Sequence, residues 1–382
     1  MRWYRSSAAI AVAAIMAAGT ARADITVGFV TSLSGPGSSI GIPYGRGMDA
    51  AYAYADTVDG QKIKLVRLDD GTDPSTAARD ARKLIEDDKV DILIGTATTP
   101  SASAMMAVAN ELKVPMISLS PLKASQSSDA WGISVVQPPP LMVSVPVERM
   151  VRDGVKTVGF IGFSDAWGDL VYGGAKRAAD AGKIKLVAAE RYARTDTSVT
   201  GQALKVFAAH PDAVLIGGSG TQAALPILAL AQLGYRGKFY GTPALLNADF
   251  IRLGGKAAEG VVVSAGPVMV AGQLPEDHYA KKISLTFFDA YKRATGQVST
   301  NAFSPYGFDT WILFLDAAKR ALPKAKPGTP EFRTALREAI FATKGVDGTN
   351  GIYNCHPGSA YCSDQRGLVL VRLVDGKWTY AP

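Results

Sequence analysis

Cysteine is nearly absent from this 382-residue chain, which has only Cys355 and Cys362, and histidine is limited to His210, His278 and His356. That supply is too small for a multi-cysteine zinc framework or a disulfide-dense scaffold. No apolar run reaches the length of a membrane-spanning helix. A large surplus of one charge is also lacking. The formal charge of +7 falls to +4 without Arg2, Arg5 and Arg22, and the basic residues are scattered among acids. Nothing resembles a basic stripe with interleaved aromatics, so no nucleic-acid partner is expected. Catalytic motifs are missing as well: there is no G-x-S-x-G elbow, no H-E-x-x-H and no P-loop. Neither His210 nor His278 lies near a Ser or Cys at a strand-to-helix turn. Ser34-Gly35-Pro36-Gly37 followed by Gly41 lacks dinucleotide spacing, and Asp69-Asp70 at the end of the second strand reads as turn chemistry. The expectation is a protein without cofactor or metal that is not an enzyme.

What is present is a large apolar fraction, 47%, enough for two domains. Residues 1–23 read as a signal peptide. Arg2 and Arg5 form a basic start, Ala8 to Ala18 an apolar run, and Ala21-Arg22-Ala23 a small-x-small cleavage site before Asp24. An exported, periplasmic, monomeric protein is expected. In that setting Cys355 and Cys362 read as a disulfide closing a small loop. The alternative is a metal site with His356, for which no further cysteine or histidine cluster is at hand.

From Ile25 onward, short apolar runs alternate with helical periodicity, which predicts an α/β fold with parallel central sheets and helices on both faces. The stretch Asp91 to Pro121, DILIGTATTPSASAMMAVANELKVPMISLSP, reads as strand, loop, helix and strand. Thr99 is expected as the N-cap, with Pro100 at the first helical position. Ligands of open α/β sheets bind beyond the carboxyl ends of the strands. Two such ends here carry Thr98, Thr99 and Ser120, beside a helix N-terminus that favours an anion. Pro138-Pro139-Pro140 marks a first crossing between two lobes. A second series of strands and helices follows, with a second crossing near Val261–Ser264 and a third at Gly345–Gly351. An Asp375-Gly376 hairpin closes the chain.

Five segments in order resemble the periplasmic binding proteins of branched-chain amino acid (leucine/isoleucine/valine-binding) ABC transporters. They are ITVGFVTSLSGPGSSIGIPYGRGMDAA, LVRLDDGTDPSTAARDARKLI, the stretch from Asp91, VGFIGFSDAWGDLVYGGAKRA and AVLIGGSGTQAALPILALAQLGY. The resemblance implies two doubly wound lobes joined by three hinge crossings. With the crossings above, residues 24–137 and 268–347 form lobe 1, and residues 138–267 and 348–382 form lobe 2. It also implies closure around a small molecule and delivery to ABC permease membrane subunits.

Carried over residue by residue, the carboxylate-holding hydroxyl falls on Thr99 with Thr98 beside it, and the next strand-end position on Ser120. The second-lobe aromatic falls on Trp167, and the position after the Gly217-Gly218 pair on Ser219. Ser34, Tyr44 and Phe303 complete the expected ligand-binding set. The position of the ammonium-pairing acid falls near Pro243, and the nearest acid is Asp249. A Thr that helps to hold the amino group is replaced by Leu122. A buried ammonium without a counter-charge is strongly disfavoured. A small aromatic or apolar carboxylate without an α-amino group is therefore expected, with a branched-chain or other hydrophobic amino acid as the alternative.

Overall fold

The computed structural model describes residues 24–123 and 127–381; the expected signal peptide lies outside them. Ile92, Leu93 and Ile94 are all fully buried, as a strand covered on both faces requires. They belong to a first sheet built from β1 (Ile25–Thr31), β2 (Thr57–Val58), β3 (Gln61–Asp69), β4 (Ile92–Gly95), β5 (Met116–Ser118) and β6 (Gly132–Ser134). Its spatial order is β2-β3-β1-β4-β5-β6, parallel except for the β2–β3 edge. The helices threaded between these strands are α1 (Ser38–Tyr54), α2 (Pro74–Glu86) and α3 (Thr99–Leu112). Helix α1 carries Pro43 inside it.

The chain then passes to a second layer through α4 (Pro139–Arg152). Strands β7 (Thr157–Phe163), β8 (Lys185–Tyr192), β9 (Ala213–Gly217), β10 (Lys238–Gly241) and β11 (Val262–Ala265) alternate with α5 (Ala166–Asp180), α6 (Thr200–Ala208), α7 (Ala224–Gln232) and α8 (Ala248–Gly254). Three helices follow, α9 (Tyr279–Thr295), α10 (Ser304–Ala321) and α11 (Pro330–Phe341). Helix α10 is buried on most faces and fastens to α1, with Ser304 Oγ donating to the Pro43 carbonyl at 2.9 Å and Trp311 Nε1 to the Ala55 carbonyl at 2.8 Å. After the short β12 (Val346–Asp347) and β13 (Ile352–Tyr353), the chain ends in β14 (Val369–Val374) and β15 (Lys377–Tyr380). The order of the second sheet is β15-β14-β11-β10-β9-β7-β8, parallel apart from its last two strands. The turn joining β14 and β15 has both Asp375 and Gly376 at positive φ, 49° and 69°, the backbone a tight Asp-Gly hairpin needs.

The segments passing between the layers are tied together. Gln137 Nε2 donates to the carbonyls of Asn350 (2.9 Å) and Gly367 (2.7 Å), and Gln137 Oε1 accepts from the Tyr306 hydroxyl. Buried Asp309 accepts from the amides of Thr349 and Asn350 and from the Tyr353 hydroxyl, at 2.7 to 2.9 Å. Burial pushes the Asp309 carboxyl above its ordinary pKa against the pull of these donors. The stretch after Gly351 does not pass directly to the second sheet. It first lies along the first sheet, where Ser134 N donates to the Ala360 carbonyl at 2.7 Å.

Candidate ligand-binding cleft

The carboxyl ends of the two sheets face each other across a cavity. From the first sheet come Ala97, Thr98 and Thr99 after β4, Ser120 and Pro121 after β5, and Val136 after β6. Ile40 and Tyr44 of α1 and Phe303 and Tyr306 at the start of α10 complete that wall. From the second come Trp167 after β7, Arg194 after β8, Ser219 after β9 and Pro243 and Ala244 after β10, with Met142 of α4.

Thr98, rather than Thr99, caps α3. Its hydroxyl accepts from Ser101 N at 3.4 Å and donates to Ser101 Oγ at 3.1 Å. Pro100 is therefore the second helical residue, and Thr99 the first. That places Thr99 in the lining with no hydrogen-bond partner for its hydroxyl among the described residues. Ser120 Oγ lies 2.6 Å from the Thr96 carbonyl. A hydroxyl this close to a carbonyl oxygen must donate to it, so toward the cavity Ser120 can only accept. Tyr44 likewise donates to the Leu119 carbonyl at 2.6 Å and meets Phe303 edge-on, with centroids 5.7 Å apart. Trp167 lies on α5, and its indole N–H reaches the Gly218 carbonyl at 3.3 Å. Gly168 lets this happen: a Cβ there would sit 1.8 Å from the Phe163 carbonyl oxygen, so only glycine lets α5 close onto the end of β7.

Among the described residues Arg194 is the one charged residue in the lining, and sequence reasoning missed it. Its Nε donates to Asp165 Oδ2 at 2.5 Å and Nη1 to Ser219 Oγ at 3.0 Å, while the guanidinium lies 4.2 Å from the Phe163 ring centroid. Burial pushes its pKa below the usual arginine value against the pull of Asp165, yet a guanidinium stays charged at neutral pH. Its remaining N–H groups have no protein acceptor among the described residues. The available signal was an Arg directly after one strand of the second lobe, in RYARTD, and an Asp directly after its neighbour, in SDAWG. Ser219 accepts from Arg194, so its own proton is free to donate.

Ser34 lies outside the cavity. It is exposed, and its hydroxyl donates to Asp69 at 2.8 Å. Asp69 and Asp70 do more than shape a turn: buried Asp70 accepts from Ser32 Oγ at 2.6 Å and Thr96 Oγ1 at 2.5 Å, joining the ends of β1 and β4. Among the described residues no acid lines the cavity. Asp249 is paired with Arg252 on α8. Beside the cavity two hydrogen bonds cross between the walls: Thr221 N donates to Ser39 Oγ at 3.2 Å, and Ala302 N to the Leu246 carbonyl at 3.0 Å. Cys355 and Cys362 are disulfide-bonded to each other.

Comparison with known proteins agrees with this architecture. A family model described as periplasmic binding protein matches residues 24–361. A Leu/Ile/Val-binding protein homologue from Brucella melitensis is 26% identical over 268 residues, 67% of this chain and 71% of that one. An extracellular ligand-binding receptor from Rhodopseudomonas palustris superposes with a TM-score of 0.90 at 39% identity, covering 94% of this chain and 99% of its own. The solute-binding protein of an R. palustris ABC transporter, solved with benzoate, shares the fold at 20% identity, with a TM-score of 0.78 over 94% of this chain and 95% of its own.

Proposed function

This chain belongs to the periplasmic binding protein family, and from that premise we propose that it captures a small aromatic or apolar monocarboxylate for an ABC uptake transporter. One observation carries the choice of ligand: among the described residues the cavity wall holds a single cation, Arg194, four aromatic side chains and no acid. A carboxylate would find the unengaged N–H groups of Arg194 and the free hydroxyl protons of Ser219 and Thr99. Hydrogen bonds that join two opposite charges are the strong ones, and a guanidinium can grip a carboxylate in two places. An ammonium would find Ser120 as an acceptor and no counter-charge, an unfavourable exchange for its water.

In this reading the ring of the ligand lies among Trp167, Tyr44, Phe303 and Tyr306, where aromatic faces and edges match one another. Both walls contribute, so the ligand stabilises the approach of two lobes hinged at the tied crossings near Gln137. The proposed lobes are those expected from the sequence, save that residues 352–362 go with the first. A complex with benzoate of a protein that shares the fold is in keeping with such a ligand, and in this reading the ligand is delivered to permease subunits from the periplasm. The role is binding, with no chemical step assigned to any residue.

A thermal-shift screen of the mature protein tests this, since a ligand that binds only the folded form raises the midpoint by mass action. Benzoate, cinnamate and phenylpyruvate are expected to shift the midpoint, and phenylalanine and leucine to leave it unchanged. Shifts with the amino acids alone would overturn the reading in favour of an amino acid carrier.

A further inference from the structure

The disulfide loop near the C-terminus has no part in the cleft as described so far, yet it reaches the back of one cavity wall. The wall segment Ser120-Pro121 is followed by Leu122, whose side chain is buried. Both backbone polar groups of Leu122 end on one side chain 239 positions away: its N–H donates to Tyr361 Oη at 3.1 Å, and its carbonyl accepts from the same hydroxyl at 2.6 Å. Tyr361 is 6% exposed and stands directly before Cys362. Its own backbone runs beside Ser134 of β6, through the bridge that Ser134 N makes to the Ala360 carbonyl. At its front the same segment is fixed by Ser118, Ser134 and Thr96, all bonded to Ser120. Tyr361 is thus the anchor at the trailing end of a wall whose leading end is already fixed.

We propose that Tyr361, held in place by the Cys355–Cys362 loop, is a positioning residue for the ligand cleft. It fixes where Ser120 and Pro121 stand against the ligand, so that affinity depends on a disulfide outside the cavity. The physical reason is preorganisation. A wall ordered before binding does not have to be ordered at the moment of binding, and a hydroxyl that both donates and accepts holds one peptide unit in one orientation. The loop closes six residues between its cysteines, which restricts where the Tyr361 ring can go. This inference rests on the cleft being the ligand site, and the test separates the two.

The test is Tyr361→Phe, which keeps the ring and removes the hydroxyl. Amide hydrogen exchange at Leu122 is read without ligand, and affinity for cinnamate is read by calorimetry well below the thermal midpoint, where both proteins are folded. Leu122 exchange is expected to accelerate. The Kd should rise about threefold to tenfold, the range one neutral hydrogen bond allows. The Cys355→Ser/Cys362→Ser protein should show a similar loss. Adding Tyr361→Phe to it should cost less than about twofold more, because the two changes act through one contact. A lower thermal midpoint with unchanged Kd would mean a purely structural tyrosine and would overturn the proposal, as would unchanged Leu122 exchange. If the wild-type protein ignores cinnamate but binds leucine, the carboxylate reading fails, and the same fold-change is then expected with leucine.

Discussion

On the wall built by the first sheet, Ser120, Tyr44 and Thr98 turn their hydroxyls back into the protein, onto Thr96, Leu119 and Ser101. On the wall built by the second, Arg194 uses Nε on Asp165 and Nη1 on Ser219 and leaves its other N–H groups without a protein acceptor among the described residues. The first wall is therefore mostly shape, with Thr99 as its free donor, and the second carries the charge. The cost of removing a polar group depends on whether its hydrogen bond goes to the ligand or to the wall itself, and the two walls differ in that respect.

Arg194→Met should break this contrast outright. Truncating one member of a buried charged contact costs about 2–4 kcal/mol, or roughly thirty- to a thousandfold in Kd, and calorimetry with cinnamate would read it. Affinity within a factor of two of wild type would place the carboxylate elsewhere. Thr99→Val keeps the shape and removes the free hydroxyl of the first wall. Its expected cost is about 1–2 kcal/mol, smaller than that of Arg194 because the donor is neutral; a loss larger than that of Arg194→Met would invert the assignment of the walls.

The framework of the second wall depends on acidity. Burial alone would raise the pKa of Asp153, but the Tyr240 hydroxyl at 2.6 Å, Arg149 at 2.9 Å and Lys238 hold it down to about 2. This contact fastens α4 to β10, three residues before Pro243 of the lining. A carboxylate with a lowered folded-state pKa contributes stability above its ordinary range and loses it as the pH falls through the folded value. The urea midpoint of Asp153→Asn should therefore lie below that of wild type near neutral pH, by about 1–2 kcal/mol of stability. The gap should close as the pH approaches about 2, and a gap independent of pH would contradict the pairing. The smallest effect on binding is expected from Ser120→Ala. Its hydroxyl proton already belongs to the Thr96 carbonyl, so carboxylate affinity should change by less than about threefold while the thermal midpoint falls. A tenfold loss of affinity would show that Ser120 turns to the ligand.

Much of the architecture was legible because it rests on local pattern. The buried strands around Ile92–Ile94, the Asp-Gly hairpin and the glycine-proline turns punctuate the chain wherever the backbone demands it. Seven of the eight expected cavity residues, Thr98, Thr99, Ser120, Trp167, Ser219, Tyr44 and Phe303, do line the cleft, since all but Tyr44 stand at a strand end or a helix start. Ser34 stands at a strand end too, but its hydroxyl is drawn to Asp69. The one-residue shift of the α3 cap from Thr99 to Thr98 was not legible, because Pro is tolerated throughout the first helical turn, where no N–H has an intrahelical partner.

The sequence by itself determined the alternation of strands and helices, the strand ends that bear hydroxyls and an aromatic ring, and the lack of an acid near Pro243. Each of these is fixed by residue type and short-range spacing. Only the tertiary structure decided which hydroxyls remain free, that Arg194 and Asp165 meet 29 residues apart to put one cation in the wall, and that Tyr361 reaches Leu122 across 239 positions. A hydrogen bond saturates one donor with one acceptor, and which partners come within 3 Å is set by the packing of elements distant in the chain.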